Sequence, residues 1–155
     1  MRMSIILAAF IAATFPVISC EKYDVLPPKS IKDNMPADKI QLPSDARDVS
    51  WDREGSYWEL SYETGFGANK TDVEVYFDAE GNWVMTKTDM RIKKVPAYIK
   101  DFVKLSPDYA GAVFFDRDAE FIERPEGNSY VLEVIVGRVE MDLEVTEDGE
   151  ISIVY

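Results

Sequence analysis

The chain has 155 residues, 46% of them hydrophobic, 30% charged and 12% aromatic, which suits one folded domain with a real core, or two very small ones. Its formal net charge is -12, so it would be repelled by a phosphate backbone and by an anionic membrane surface, and nucleic acid is excluded as a partner. It has no histidine and one cysteine, which removes the commonest general base, the commonest transition-metal ligand and any intrachain disulfide.

The start, "MRMSIILAAFIAATFPVISC", places Arg2 before an apolar run from Ile5 to Val17. That run is shorter than the ~20 residues a bilayer span needs and fits a signal-peptide core. Val17, Ile18, Ser19 and Cys20 resemble the bacterial lipobox, in which the cysteine is diacylated on sulfur and becomes the new amino terminus. Residues 1–19 are therefore expected to be a lipoprotein signal peptide and Cys20 a lipid anchor. The expected location is the cell envelope, at the outer membrane. An ordinary secretory leader with a thiol near the cut is the alternative. Each buried acyl CH₂ contributes about 0.8 kcal/mol and one chain holds only marginally, so firm anchoring needs more than one.

Residues 20–35 carry Pro27 and Pro28 and neither helical nor strand periodicity, and read as a flexible tether. The folded domain is then expected over 36–155. It opens with a turn of helix at Pro36, capped by Asn34 and cut off by Pro43.

Strand patterns follow. "SYWELSY" sets Trp58, Leu60 and Tyr62 on one face, and "TDVEVYFD" does the same for Val73, Val75 and Phe77. "DAEGN" is a hairpin turn whose glycine supplies a left-handed residue, and "NWVMTKT" returns from it. A helix is predicted in "VPAYIKDFVKLSP", with Val95, Ile99, Phe102 and Val103 at helical spacing and Pro107 ending it. Strands resume with "AVFFD" or "AEFIE", then "SYVLEVIV", then "VEMDLEV" with Val139, Met141, Leu143 and Val145 inward, and "EISIVY" closes the chain.

Laying Gly81 on Gly149 places Val73 on Met141, Val75 on Leu143 and Phe77 on Val145. The chain thus writes one unit twice, over about 43–90 and about 94–155, and the first copy carries the longer loop "ETGFGANKT". Acidic–apolar alternation recurs in any antiparallel sheet, but the "EG" before the first strand and the turn glycine are shared as well. A unit with one apolar face cannot bury it alone. The predicted fold is α+β: an antiparallel sheet built from two tandem repeats, with one or two helices packed on one face.

The order of these pieces resembles the PepSY-like, beta-lactamase-inhibitor-like secreted proteins of Bacteroidetes. The resemblance rests on Pro43, Ala46, Val49 and Trp51, then Val73 to Trp83, then Val95 and Pro96 with Tyr109, Ala110 and Gly111, and runs from Leu42 to Tyr155. One departure is the first helix, clipped here by Pro43. The resemblance implies helices on one face of an antiparallel sheet, no catalytic residues to carry over, and a binding or inhibitory role.

Paired carboxylates such as Asp116 and Asp118, or Glu140 and Asp142, have the spacing of a glycosidase pair, but an acidic solvent face gives the same pattern. The sequence has no nucleophile elbow and no phosphate loop, and its acidic turns do not complete a calcium loop, so no enzyme activity, metal or cofactor is expected. If the apolar set faces the core, then Tyr57, Glu59, Glu74, Tyr76, Glu133, Asp142 and Glu144 line the opposite face. Tyrosines among carboxylates suit the docking of a basic envelope protein, although a solvated face whose charges block aggregation reads the same way.

The expected function is that of a non-catalytic envelope lipoprotein acting as a protein-binding module, inhibiting or regulating a peptidase or other enzyme. The alternative is a sensor lipoprotein for a small ligand or carbohydrate, with a pocket between sheet and helix. Cys20→Ser is expected to leave the protein unlipidated and soluble, or to block its maturation. Detergent phase separation checks this, and wild-type partitioning of the variant would contradict the lipobox assignment.

Overall fold

The computed structural model describes residues 25–154, so the leader and Cys20 lie outside the described residues, as do Tyr155 and the side chains of residues 116–118. Eight strands form one sheet: β1 Arg47–Glu54, β2 Tyr57–Thr64, β3 Thr71–Phe77, β4 Trp83–Met90, β5 Val113–Glu123, β6 Ser129–Val136, β7 Val139–Thr146 and β8 Ile151–Val154. They lie side by side in chain order, every neighbouring pair antiparallel. The helices are α1 Lys29–Lys32, α2 Ala37–Ile40 and α3 Ala97–Leu105. A helical segment followed by four strands therefore occurs twice, with both helical segments on the same face of the sheet.

The register explains the burial. Trp58 lies opposite Phe77 and Leu60 opposite Val75, and the equivalent pairs in the second half are Tyr130 with Val145 and Leu132 with Leu143. All eight of these side chains are buried. In the first half they pack with Trp51 and Met35, with Ile31 and Ile40 at the margin. In the second half they pack with Ile99 and Val103 of α3 and with Ile92 and Val95 before it. Between the two cores, β4 presents Thr86 and Thr88 and β5 presents Glu123 on this face. The two halves thus bury separate apolar clusters on either side of a polar seam.

The turn glycines show why the unit repeats its wording. Gly81 and Gly149 have φ of +94° and +93°, a left-handed region that glycine enters without steric cost. Each also sits against its own half's helical segment. A Cβ on Gly81 would meet the Ile31 carbonyl oxygen at 2.5 Å, and one on Gly149 would meet the Phe102 ring at 3.0 Å. The turns are closed alike. Asp78 accepts bonds from the Glu80 and Asn82 amides at 3.0 and 2.8 Å, and in the second copy the Thr146 hydroxyl accepts one from the Glu150 amide at 2.9 Å.

Several expectations need correction. The tether drawn over residues 20–35 is, from Val25 on, part of the folded body. The Val25 amide donates to the Trp51 carbonyl at 3.2 Å, Pro27 and Met35 are buried, and α1 forms where no helix was predicted. The first unit therefore begins upstream of residue 43. The clipped first helix is replaced by two single turns broken at Pro36, which cover the first core between them. Asn34 does not cap α2; its side-chain amide donates to the Glu80 carbonyl at 3.0 Å, joining α1 to the turn below. "AVFFD" and "AEFIE" belong to one strand, β5, joined across an irregularity between Phe114 and Ala119. Val139, expected inward, is 59% exposed because it starts β7 beside the Gly137 turn.

Gly81→Ala is expected to lower stability more than Gly137→Ala. Both have positive φ, for which a side chain costs about 1–2 kcal/mol, but a Cβ on Gly137 meets open space whereas one on Gly81 displaces α1. Paired thermal melts check this, and equal losses would mean that the contact with α1 does not hold the turn.

Candidate functional site

The face of the sheet opposite the helices has no covering element among the described residues. Strand alternation sends Asp52, Glu59, Tyr76 and Met85 there as one row across β1 to β4. A second row runs Ser61, Glu74, Lys87, Ile122, Ser129 and Thr146 across β2 to β7. Glu133 and Asp142 face each other across β6 and β7, and Glu144 follows on β7.

The seven residues expected to bind a partner all lie on this face, as two groups rather than one. In the first half, the Tyr76 hydroxyl donates to Glu74 Oε2 at 2.7 Å, and Lys87 Nζ lies 5.3 Å from the centre of the Tyr76 ring. Glu59 lies opposite Tyr76, and Tyr57 lies at the outer edge opposite Glu54. Burial pushes the Glu59 carboxyl above the ordinary range, and the neighbouring charge of Glu74 adds to this. The Tyr76 hydroxyl is pushed up by burial and by its bond to Glu74.

Tyr76 needs correcting as an exposed contact: it is only 5% exposed. Its ring lies among Glu59, Met85 and Lys87, and its hydroxyl is already engaged. Tyr57, at 40%, is exposed as expected. Glu144 is engaged too, since its Oε1 accepts from Arg124 and from the Ser129 hydroxyl, both at 2.6 Å. Burial alone would raise its pKa, but these two bonds and the guanidinium charge outweigh that and lower it.

A cleft of about 580 Å³ opens on the same face and draws in Glu133 and Asp142. Its floor also includes Asp89, Glu120 and Val131, which the sequence reading did not place in the partner-binding set. One wall is the loop between β2 and β3, through Gly67, Ala68 and Lys70. Arg91 and Lys94, from the connection toward α3, also line it. Lys70 is ion-paired with Glu63, and the hydrogen bond between them raises the Lys70 pKa and lowers that of Glu63.

This loop is tied down from β1 and the residues just before it. Asp45 accepts the Thr64 hydroxyl at 3.0 Å and the Gly65 amide at 2.9 Å; the bond from Gly65 is the main cause of its lowered pKa. Arg47 donates to the Gly65 carbonyl, and its guanidinium lies 4.4 Å from the centre of the Phe66 ring. Both residues precede a bulge in β1, where the register shifts between Arg47 and Ser50 and Asp48 takes a φ of +49°. Phe66, at the top of the loop, is 66% exposed. The length difference between the two copies was the only sequence signal for this loop; nothing marked Asp45 or Arg47 as its clamp.

A family model described as "Putative beta-lactamase-inhibitor-like, PepSY-like" matches residues 60–152. The chain belongs to that family. Solved structures agree in fold. A "BLIP-like protein" from Bacteroides fragilis superposes with a TM-score of 0.59 at 24% identity, covering 84% of this chain and 85% of that one. A structure from Bacteroides eggerthii, described among "putative periplasmic proteins", has a TM-score of 0.59 at 22% identity and covers 81% and 86%. The comparison with curated proteins gives no match. No helix among the described residues is long and apolar enough to cross a membrane.

Glu59→Gln is expected to raise the melting temperature at pH 7. A carboxyl whose pKa is raised on folding stabilises the fold fully only below its ordinary value of 4.5, and this contribution is lost as pH rises through the folded-state value. The advantage of the variant should therefore shrink as pH falls toward and below 4.5. An advantage independent of pH would contradict the raised pKa.

Proposed function

We infer that the protein is a non-catalytic, protein-binding module of the cell envelope, docking its partner on the open face of the sheet. The observation that carries this is the division of faces: one side is spent on two packed cores, and the other presents a cleft with Glu133 and Asp142 in its floor. Membership of an inhibitor-like family supports a binding role, and the leader with Cys20 supports lipid anchoring at the outer membrane.

Carboxylates over the open face would speed encounter with a basic partner, an effect screened beyond ~8 Å at physiological ionic strength. Inhibition or regulation of an envelope enzyme is the role that fits such a module best. The small-ligand alternative called for a pocket between sheet and helix. At that interface Ile99 and Val103 are fully buried against Leu132 and Leu143, and the cleft lies on the opposite side.

The test is capture of a stoichiometric partner from envelope extract by the protein, by a Glu133→Lys/Asp142→Lys variant, and by a control with Lys104→Glu on α3. Loss of the partner with the first variant alone is expected. Loss with the α3 variant alone would move the docking surface to the helical side.

A further inference from the structure

The two halves are built alike but joined unlike: β6 and β7 meet through the tight turn at Gly137 and Arg138, whereas β2 and β3 are separated by the longer loop that walls the cleft. That loop is held in one shape from several directions. Asp45 binds its start, Arg47 binds the Gly65 carbonyl, the Asn69 amide donates back to the Phe66 carbonyl at 3.1 Å, and Lys70 is ion-paired with Glu63. Gly65 has a φ of +75°, and a Cβ there would collide with the Asn69 carbonyl, so the sequence is fitted to the bend. The bulge at Asp48 alters the course of β1 just where Asp45 and Arg47 reach across to the loop.

What this scaffold holds up is Phe66. A scattered exposed apolar residue needs no explanation, and a loop that served only to cover the sheet would turn its phenylalanine inward. Here one face of the ring is backed by the Arg47 guanidinium, and 66% of the residue stays in water beside the wall of a cleft in whose lining the carboxylates of Asp72, Asp89, Glu120, Glu133 and Asp142 outnumber the cations of Lys70, Arg91 and Lys94. An aromatic ring already fixed in place loses little entropy on binding and gains the full burial of its surface, the character of an interface hot spot.

We propose that Phe66 is the anchor of the docking face and that its partner is a protein surface with an apolar socket ringed by lysine or arginine. The ring fills the socket, and the basic rim reaches the carboxylates of Glu120, Glu133 and Asp142 in the cleft floor. This rests on the protein-binding reading above and adds to it the contact that sets specificity.

Amide chemical-shift titration of the isotope-labelled protein tests it, with short peptides of alternating lysine and leucine, or of lysine and serine, as probes. The lysine–leucine peptide is expected to shift Phe66, Gly67 and Ala68 together with Glu133 and Asp142, and to bind more tightly than the lysine–serine peptide. Phe66→Ser should weaken it about tenfold or more, and Phe66→Leu should restore much of the affinity. Neither variant should alter the amide spectrum elsewhere, since the ring is exposed. Binding on the open face that Phe66→Ser leaves unchanged would overturn the anchor while sparing the docking reading. Shifts confined to the helical face, or none from either peptide, would overturn both.

Discussion

Everything in this molecule depends on the covering of a sheet that is apolar on one side only. Each four-stranded half brings Leu, Val and aromatic side chains to one face, and each such side chain is worth about 1.5–3 kcal/mol when removed from water. Neither half can gain this without a lid. The lid is a helical segment seated directly on a hairpin turn, and the contact leaves no room for a Cβ at Gly81 and only a tight fit for one at Gly149. Turn, helix and strand register are therefore set together, which is why the same sentence appears twice in one chain.

Two lids give two cores, and the polar seam of Thr86, Thr88 and Glu123 keeps them apart. The hydrogen bond from the Trp83 indole to the Thr86 hydroxyl, at 3.1 Å, satisfies the buried hydroxyl at that seam. Because both lids lie on the same side, no helix or strand among the described residues covers the second face of the continuous antiparallel sheet. The duplication supplies the platform. The departure from duplication, the clamped loop with Phe66, supplies the asymmetry that lets one end of the platform differ from the other.

The strands were legible because a period of two writes burial directly into the sequence: Val73, Val75 and Phe77 could face only one way together. The α3 helix was legible from Ile99 and Val103 for the same kind of reason. The first lid was not, because single helical turns such as Lys29–Lys32 are too short to show a period, and prolines next to them read as linker. The family match accounts for the fold but not for this lid, which precedes residue 60. On the open face, alternation placed all seven candidate residues correctly in direction but could not tell which were accessible. Tyr76 is buried by neighbours two strands wide, Glu59 and Met85 to either side with Lys87 above, and Glu144 is held by Arg124 from beyond the end of β5. Such contacts join residues from separate strands, and a one-dimensional pattern does not carry them.

The claim that the open face is where the protein meets its partner is tested most directly by carbodiimide labelling of carboxylates in intact cells and in the purified protein. Asp142 and Glu120 should react in the purified protein and be protected in the native envelope, while Asp101 and Asp108 on the helical side react equally in both. Equal labelling of Asp142 and Glu120 in the two settings, with protection at Asp101 and Asp108 instead, would contradict it.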